Sequence, residues 1–282
     1  MKFNKINSLA KINLSLNIIK RLPNRYHKIE SLVTFVKIFD EIKIRTIKNA
    51  HHKISFTGNF AKGIGNNNTV SKLLKLLEEK KLIKNKKFEI KIKKNIPQKS
   101  GMGGGSMNAA AIIKYFTKKK IVNISKNKIH RLAYAIGADV ILGLEKKNSI
   151  AFVNGKIGRL NKKINLHVLI VKPNIDYSTK YIYAKVKKYS KSIYTNKNKL
   201  FFTTRNLINS NNALENVVFK KYPKINNLKY FLSKLPKITF VRMTGSGSAI
   251  VAYFKSKRAA KKAAKLFRRK YKNYWYIVSK TI

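Results

Sequence analysis

Four glycines fall within five positions in the segment Ile96-Pro97-Gln98-Lys99-Ser100-Gly101-Met102-Gly103-Gly104-Gly105-Ser106-Met107-Asn108, between a strand-like run and an alanine-rich helical one. Such an order points free backbone N–H groups and a positive helix end at one place, which is the chemistry of an anion site. Glycine lets the backbone close on phosphate oxygens and supplies the positive φ of tight turns. An ordinary strand-to-helix turn has the same outline, so the segment alone leaves both readings open. G-x-x-x-x-G-K-[ST] is absent, and no β-α-β unit with an acid some 20 residues on follows, which excludes a Walker loop and argues against a dinucleotide fingerprint.

Three further segments carry chemistry. Asp139 stands among apolar neighbours in Ile136-Gly137-Ala138-Asp139-Val140-Ile141-Leu142; a carboxylate there must be paired or open to a cleft, because an isolated buried charge is very costly. Met243-Thr244-Gly245-Ser246-Gly247-Ser248-Ala249 is a second Gly-rich turn between two strand-like runs, and by itself reads as a bulged hairpin. Near the start, Lys11 and Asn13 alternate with Ile12 and Leu14.

Periodicity supplies the elements that must position these groups. Ile12, Leu14, Leu16 and Ile18 alternate with Lys11, Asn13, Ser15 and Asn17, predicting a half-buried strand with Lys11 and Asn13 on its polar face. Strands are also expected at Ser31–Ile38, Lys53–Thr57, Lys87–Lys93, Leu166–Val171, Lys237–Arg242, Ser248–Phe254 and Tyr274–Ser279. Val70, Leu73, Leu74 and Leu77 recur at helical spacing after the polar stretch Gly65–Asn68. Further helices are expected at Lys180–Tyr189, Leu207–Phe219 and Ser256–Tyr271. The mixture of local strands and helices indicates an α+β fold. The polar segment Asn154–Asn165 is the expected domain junction, dividing the chain into 1–157 and 158–282.

Composition narrows the class. The 282 residues include 64 Lys and Arg against 10 Asp and Glu, a formal net charge of +54, yet 44% are hydrophobic, enough for a folded core. There is no cysteine, which excludes disulfides and thiolate metal sites and fits a reducing cytoplasm. No apolar run approaches the roughly 18 residues of a membrane span. The basic residues are spread along the whole chain, as compositional drift would leave them, rather than gathered into one electrostatic footprint. His51 and His52 have no metal-ligand spacing to other histidines and read as a solvated loop. The ten Lys and Arg from Lys255 to Lys272 read as the solvated face of an amphipathic helix.

The segment Leu9-Ala10-Lys11-Ile12-Asn13-Leu14-Ser15-Leu16, then Arg25-Tyr26-His27, the glycine loop, Gly137-Ala138-Asp139-Val140 and Thr244-Gly245-Ser246-Gly247-Ser248-Ala249 occur in an order that resembles the GHMP-type small-molecule kinases over nearly the whole chain. The Ala-Lys-Ile-Asn-Leu start followed by Tyr-His is the specific part, and it resembles the branch that acts on a cytidine diphosphate-linked methylerythritol in non-mevalonate isoprenoid synthesis. It also argues against a removable leader, which would take Lys11 with it.

That resemblance implies a two-domain GHMP fold, an N-terminal domain like the second domain of ribosomal protein S5 and a C-terminal ferredoxin-like α+β sandwich, with the active site between them. It implies ATP and Mg2+ as cofactors, the metal carried by ATP and touched by Ser106, and phosphorylation of a tertiary hydroxyl. Lys11 and Asp139 would be the catalytic pair and Asn13 a substrate-positioning neighbour. Pro97, Lys99, Gly101, Gly103, Gly104, Gly105, Ser106 and Asn108 would cradle the triphosphate, with Asn68 on the adenine side. Tyr26 and Tyr183 would cover the two faces of the cytosine, His27 would bond its edge, and Thr244, Gly245 and Gly247 would shape the floor. The chain departs from the family pattern at Gln98–Ser100, Met107, Ile141 and Ala213. The implied partners are the small-molecule substrate and ATP, with no membrane, non-specific polyanion binding from the charge, and a monomer or homodimer. Two other expectations stand beside it: a GHMP kinase for another alcohol, such as mevalonate or homoserine, and a basic RNA-associated protein on an S5-like fold, whose binding would be steeply salt-dependent.

Overall fold

A computed structural model describes residues 2–23 and 26–282. Among the described residues, ten strands and nine α-helices follow one another as β1 (Asn4–Arg21), β2 (His27–Ile47), β3 (Lys53–Thr57), α1 (Thr69–Glu79), β4 (Lys87–Lys93), α2 (Gly104–Lys118), α3 (Lys126–Ile136), α4 (Val140–Gly143), β5 (Asn148–Ala151), β6 (Ile157–Leu160), β7 (His167–Lys172), α5 (Thr179–Ala184), α6 (Thr204–Asn209), α7 (Glu215–Lys221), α8 (Pro223–Ser233), β8 (Ile238–Met243), β9 (Ile250–Phe254), α9 (Lys257–Lys270) and β10 (Trp275–Lys280). A 3-10 turn covers Lys199–Phe202. Among the described residues, no helix is long and apolar enough to cross a membrane.

Two compact units emerge. One comprises Met1–Lys11, Ile38–Gln98 and Gly103–Lys146; the other comprises Ile12–Lys37, Lys99–Met102 and Lys147–Ile282. In the first, β4 lies between β3, its parallel partner, and the second half of β2, its antiparallel partner. Phe88, Ile90 and Ile92 of β4 are fully buried while Lys91 and Lys93 are exposed, the clean alternation of a sheet with one wet face. Helix α2 packs against α1, α3 and α4, and the Phe88 ring meets Phe116 of α2 with centroids 4.6 Å apart.

In the second unit, β5 pairs with the first half of β2 and with β6. A separate four-stranded antiparallel sheet has the order β10-β7-β9-β8. Numbered within that sheet the order is 4-1-3-2, the ferredoxin-like arrangement expected for this half. Its core joins Leu169, Val171, Ile250, Ala252 and Phe254 of the sheet to Leu228 and Leu232 of α8 and to Ala260, Ala263 and Phe267 of α9. Burying side chains of that size contributes about 1.5–3 kcal/mol each. On α9 the alanines and Phe267 face the sheet, and the exposed face carries Lys and Arg only.

Several expectations need correction. Strand β1 is buried on both faces: Lys11, Asn13, Ser15 and Asn17 are as inaccessible as Ile12 and Leu14. The alternation of types is real, but the polar row faces hydrogen-bonding partners rather than water. The helix expected over Lys180–Tyr189 stops at Ala184. The one expected over Leu207–Phe219 is broken into α6 and α7, because Asn211 O and Ala213 N bond the two sides of Leu16 on β1. The polar segment Asn154–Asn165 holds β6, the far strand of a hairpin with β5. His52 is packed, not solvated: its ring stacks on Phe88 at 5.8 Å and Nδ1 accepts the Phe88 N–H.

Candidate active site

In the first unit the glycine loop leads directly into α2. Gly103 occupies the N-cap with φ +68°, and no side chain caps this helix. The first-turn N–H groups at Gly104, Gly105 and Ser106 therefore have neither an intrahelical partner nor a cap, which leaves a concentrated positive end. Gly104 to Asn108 are thus helical, where a loop was expected. A side chain here would crowd its neighbours. A Cβ at Gly103 would fall 3.0 Å from Lys11 Cε, and one at Gly104 would fall 3.2 Å from Ile96 Cγ2 and 3.3 Å from Lys94 Nζ.

Lys11 Nζ lies 3.1 Å from Asp139 Oδ2. The lysine side chain is 4% exposed and that of Asp139 40% exposed, so the acid is both paired and open, as its apolar setting demanded. The Gly103 Cβ position is 3.6 Å from the same Oδ2. An ammonium, a carboxylate and an uncapped helix start therefore adjoin one another. Asn108 is buried, and its Oδ1 has no partner, a polar atom left for a ligand. Ser106 sits half-buried in the first turn. Met107, which stands where a hydroxyl was expected, is buried on the opposite side against α4, where its Sδ would lie 3.0 Å from a Cβ at Gly143.

Other residues of the set have structural duties. Asn68 is the N-cap of α1: its Oδ1 accepts from Val70 N and Ser71 N, and its Nδ2 donates to Gly65 O. Pro97 is buried, and the following Gln98 donates to the carbonyls of Phe60 and Lys62, both at 2.8 Å. Beneath the loop lies a pair that the sequence did not disclose. Buried Lys94 is bound to fully buried Asp40, whose other oxygen accepts from Asn95 N and Ile96 N.

In the second unit the Gly-rich turn after β8 is held from several sides. The Thr244 hydroxyl accepts from Asn13 N at 3.0 Å and donates to Gly101 O at 3.3 Å. Asn13 Nδ2 donates to the Ser31 hydroxyl. Gly101 has φ +74°, and a Cβ would lie 1.9 Å from Thr244 O, so no side chain fits. At Gly245 and Gly247, φ is also positive, and a Cβ at Gly247 would strike the Tyr177 hydroxyl at 2.2 Å. Asn212 Nδ2 donates to the carbonyls of Met243 and Gly245, and Glu215 Oε1 accepts from Met243 N. Lys99, expected to hold phosphate, lies 3.6 Å from Asp176.

The residues expected to meet the cytosine ring are also in this unit. His27 begins β2, and its ring centroid is 5.5 Å from that of Tyr183 and 6.5 Å from that of Tyr189. His27 Nε2 is buried without a partner. Burial, and secondarily the Arg21 cation, hold its pKa below the ordinary histidine value, so the imidazole is neutral near pH 7. Tyr26 is 73% exposed, whereas Arg25 lies outside the described residues. Three positions along β2 from His27, the fully buried carboxylate of Glu30 accepts from Asn17 Nδ2, Ser192 Oγ, Ile193 N and Tyr194 N. This anchor was missed because its partners are some 160 residues distant.

Residues 68–156 match the family model described as GHMP kinases N terminal domain, and residues 199–273 match GHMP kinases C terminal; the class of protein is a GHMP kinase, an ATP-dependent kinase. The chain is 49% identical over 278 residues to the 4-diphosphocytidyl-2-C-methyl-D-erythritol kinase of Pelagibacter ubique (strain HTCC1062), covering 99% of each. It therefore belongs to the 4-diphosphocytidyl-2-C-methyl-D-erythritol kinase family of the GHMP kinases. Its fold is similar to the crystal structure of a 4-(cytidine 5'-diphospho)-2C-methyl-D-erythritol kinase, with TM-score 0.79, 21% identity and coverage of 98% of this chain and 99% of that one. It is also similar to homoserine kinase from Cytophaga hutchinsonii, with TM-score 0.73, 16% identity and coverage of 100% and 95%.

Proposed function

We propose that this chain transfers the terminal phosphoryl group of ATP to the 2-hydroxyl of 4-diphosphocytidyl-2-C-methyl-D-erythritol, a step of non-mevalonate isoprenoid precursor synthesis, in the cytoplasm and as a monomer or homodimer. The observation that carries this reading is the Lys11–Asp139 pair at 3.1 Å beside the uncapped start of α2. In the proposed division of labour, residues 1–157 hold ATP and carry the catalytic pair, and residues 158–282 complete substrate recognition.

ATP with Mg2+ supplies the transferable phosphoryl group and neutralises part of its charge. The residues present fit that group. The helix start is uncapped, Gly104 and Gly105 bring no side chain to it, and the Asn108 carboxamide oxygen is unpartnered. The metal would come with the phosphates, held on the protein side by the Ser106 hydroxyl. Gly101, Gly103 and the first-turn N–H groups would cradle the phosphates, with Pro97 fixing the loop's entry and Asn68 shaping the adenine side.

Phosphoryl transfer has a loose transition state, so alignment and charge neutralisation matter more than a strong base. Asp139 accepts the hydrogen bond of the substrate's tertiary hydroxyl and orients its oxygen. The Lys11 ammonium lowers the cost of negative charge developing there. Asn13, tied to Thr244 through its backbone, positions the methylerythritol portion next to Gly245 and Gly247. His27 offers a neutral imidazole edge to the cytosine, and Tyr26 and Tyr183 offer ring faces, which together would favour cytosine over a base with a different edge. The buried, unpartnered His27 Nε2 next to the Tyr183 ring favours a ring-bearing substrate over mevalonate or homoserine.

The test is ATP- and Mg2+-dependent phosphorylation of this substrate by the purified chain, with Asp139→Asn assayed at the same salt. Activity in the native chain and a loss of about 100-fold or more in kcat for the variant is the expected result. A folded native chain inert on this substrate but active on another alcohol would overturn the assignment.

A further inference from the structure

A cavity of about 590 Å³ opens in the second unit, lined by residues from α5, the segment after it, the connection between α6 and α7, and α7. Its volume lies within the range of small-molecule sites, roughly 300–1,000 Å³. No residue assigned to catalysis, to ATP or to cytosine lines it. Tyr181 of α5 and Lys185, the C-cap four residues on, belong to the lining, whereas Tyr183, on the other face of the helix, turns toward His27.

The lining has two chemical parts. Val186, Ala213 and Val217 are apolar, and all three are packed on the core of the unit. Lys185, Lys187, Lys188, Lys220 and Lys221 are exposed around them, and no carboxylate lines the cavity. Among the described residues, none of these five lysines has an acidic group within 4 Å. Five ammonium groups gathered without a counter-charge repel one another, and a bound anion removes that cost. The cations are all lysines, mobile point charges of the kind that bind phosphate oxygens. The apolar patch calls for a hydrocarbon or aromatic portion in the same ligand.

We propose that this cavity is a second ligand site, for an organic phosphate whose apolar group lies on Val186 and Val217 and whose phosphate is held by Lys220, Lys221 and the lysines facing them. Tyr189 lines the cavity and also stands 6.5 Å from the His27 ring, so the occupant would touch a residue adjoining the ring-binding cluster. The proposal does not depend on which alcohol the kinase phosphorylates.

The experiment is equilibrium binding of 1-naphthyl phosphate to the full chain by calorimetry, beside inorganic phosphate. The expected result is one site per chain, at least ten times tighter for the naphthyl ester than for inorganic phosphate. Lys220→Glu/Lys221→Glu should weaken it about tenfold or more. Lys265→Glu/Arg269→Glu on α9 changes the net charge by the same amount and should change affinity less than twofold. Asn216→Trp, a substitution at an exposed lining residue, should block the site with the melting temperature unchanged, and stands in if the double variant does not fold. Equal weakening by both charge reversals would show only the field of a basic protein, and indifference to both lining variants would put the ligand elsewhere. Either result overturns the proposal.

Discussion

Gly103 and Lys11 meet closely: a Cβ on Gly103 would lie 3.0 Å from Lys11 Cε and 3.1 Å from its Cγ. The bare glycine leaves room for the lysine's stem while its own φ of +68° turns the chain into α2.

Gly103→Ala should act in two ways. The left-handed conformation costs an L-residue about 1–2 kcal/mol, and the new methyl group must push the Lys11 stem aside by a few tenths of an ångström, which disturbs its pairing with Asp139. The expected outcome is a modest fall in the urea midpoint with a much larger fall in kcat, read by denaturation and by steady-state kinetics on one preparation. Unchanged kcat would separate the glycine from the catalytic pair.

Glu30→Gln tests the anchor beneath the cluster of His27, Tyr183 and Tyr189. The carboxylate accepts four hydrogen bonds, two of them from the N–H groups of Ile193 and Tyr194. An amide would turn donors toward those donors, at a cost of about 1.5–3 kcal/mol for bonds to a charged group. Because the anchored segment follows Tyr189, KM for the cytidine-bearing substrate should rise several-fold with kcat largely kept. An unchanged KM would make Glu30 purely structural.

The pH dependence of His27 has a definite sign. Its folded-state pKa is held below the ordinary value of 6.5 by burial first and by Arg21 second. The unfolded chain thus takes up the proton first, so the neutral imidazole contributes stability that is complete above about 6.5 and is lost as pH falls toward the folded value. Proton NMR should find the His27 resonances titrating below those of a free imidazole, and a value at or above the ordinary one would contradict the burial argument.

Salt should stabilise this protein. At +54, self-repulsion opposes the compact state, and screening shortens its reach to about 8 Å at physiological ionic strength. The melting temperature should rise by several degrees between about 50 and 300 mM NaCl. A flat response would mean that the cations are too dispersed to matter.

Local pattern was enough for much of the fold. Strands β3 and β4 begin and end where alternation placed them, and α9 starts one residue after its Ser256 cap. The glycine loop and the Thr244 turn were legible because their glycines meet steric demands that few other sequences express. What could not be read is non-local. Nothing near Leu207 announces that the chain must leave the helix so that Asn211 and Ala213 can bond Leu16 on β1. Nor does alternation along β1 reveal that its polar row is covered, because the covering groups, such as Ser31 and Tyr194, come from other elements. Lys94 and Asp40, 54 positions apart, look like two ordinary surface charges until β2 and β4 pair.

The buried acids mark how far the composition can travel. Glu30, Asp40 and Glu215 are the buried members of a set of ten, and each accepts main-chain N–H groups. A lysine is a donor only, so at these three places an exchange of acid for base would set donor against donor in the interior. Replacement of surface carboxylates meets no such barrier. Hydrogen-bond polarity thus sets a floor under the acid content, and Glu41→Lys or Glu79→Lys should be tolerated where Glu30→Lys is not.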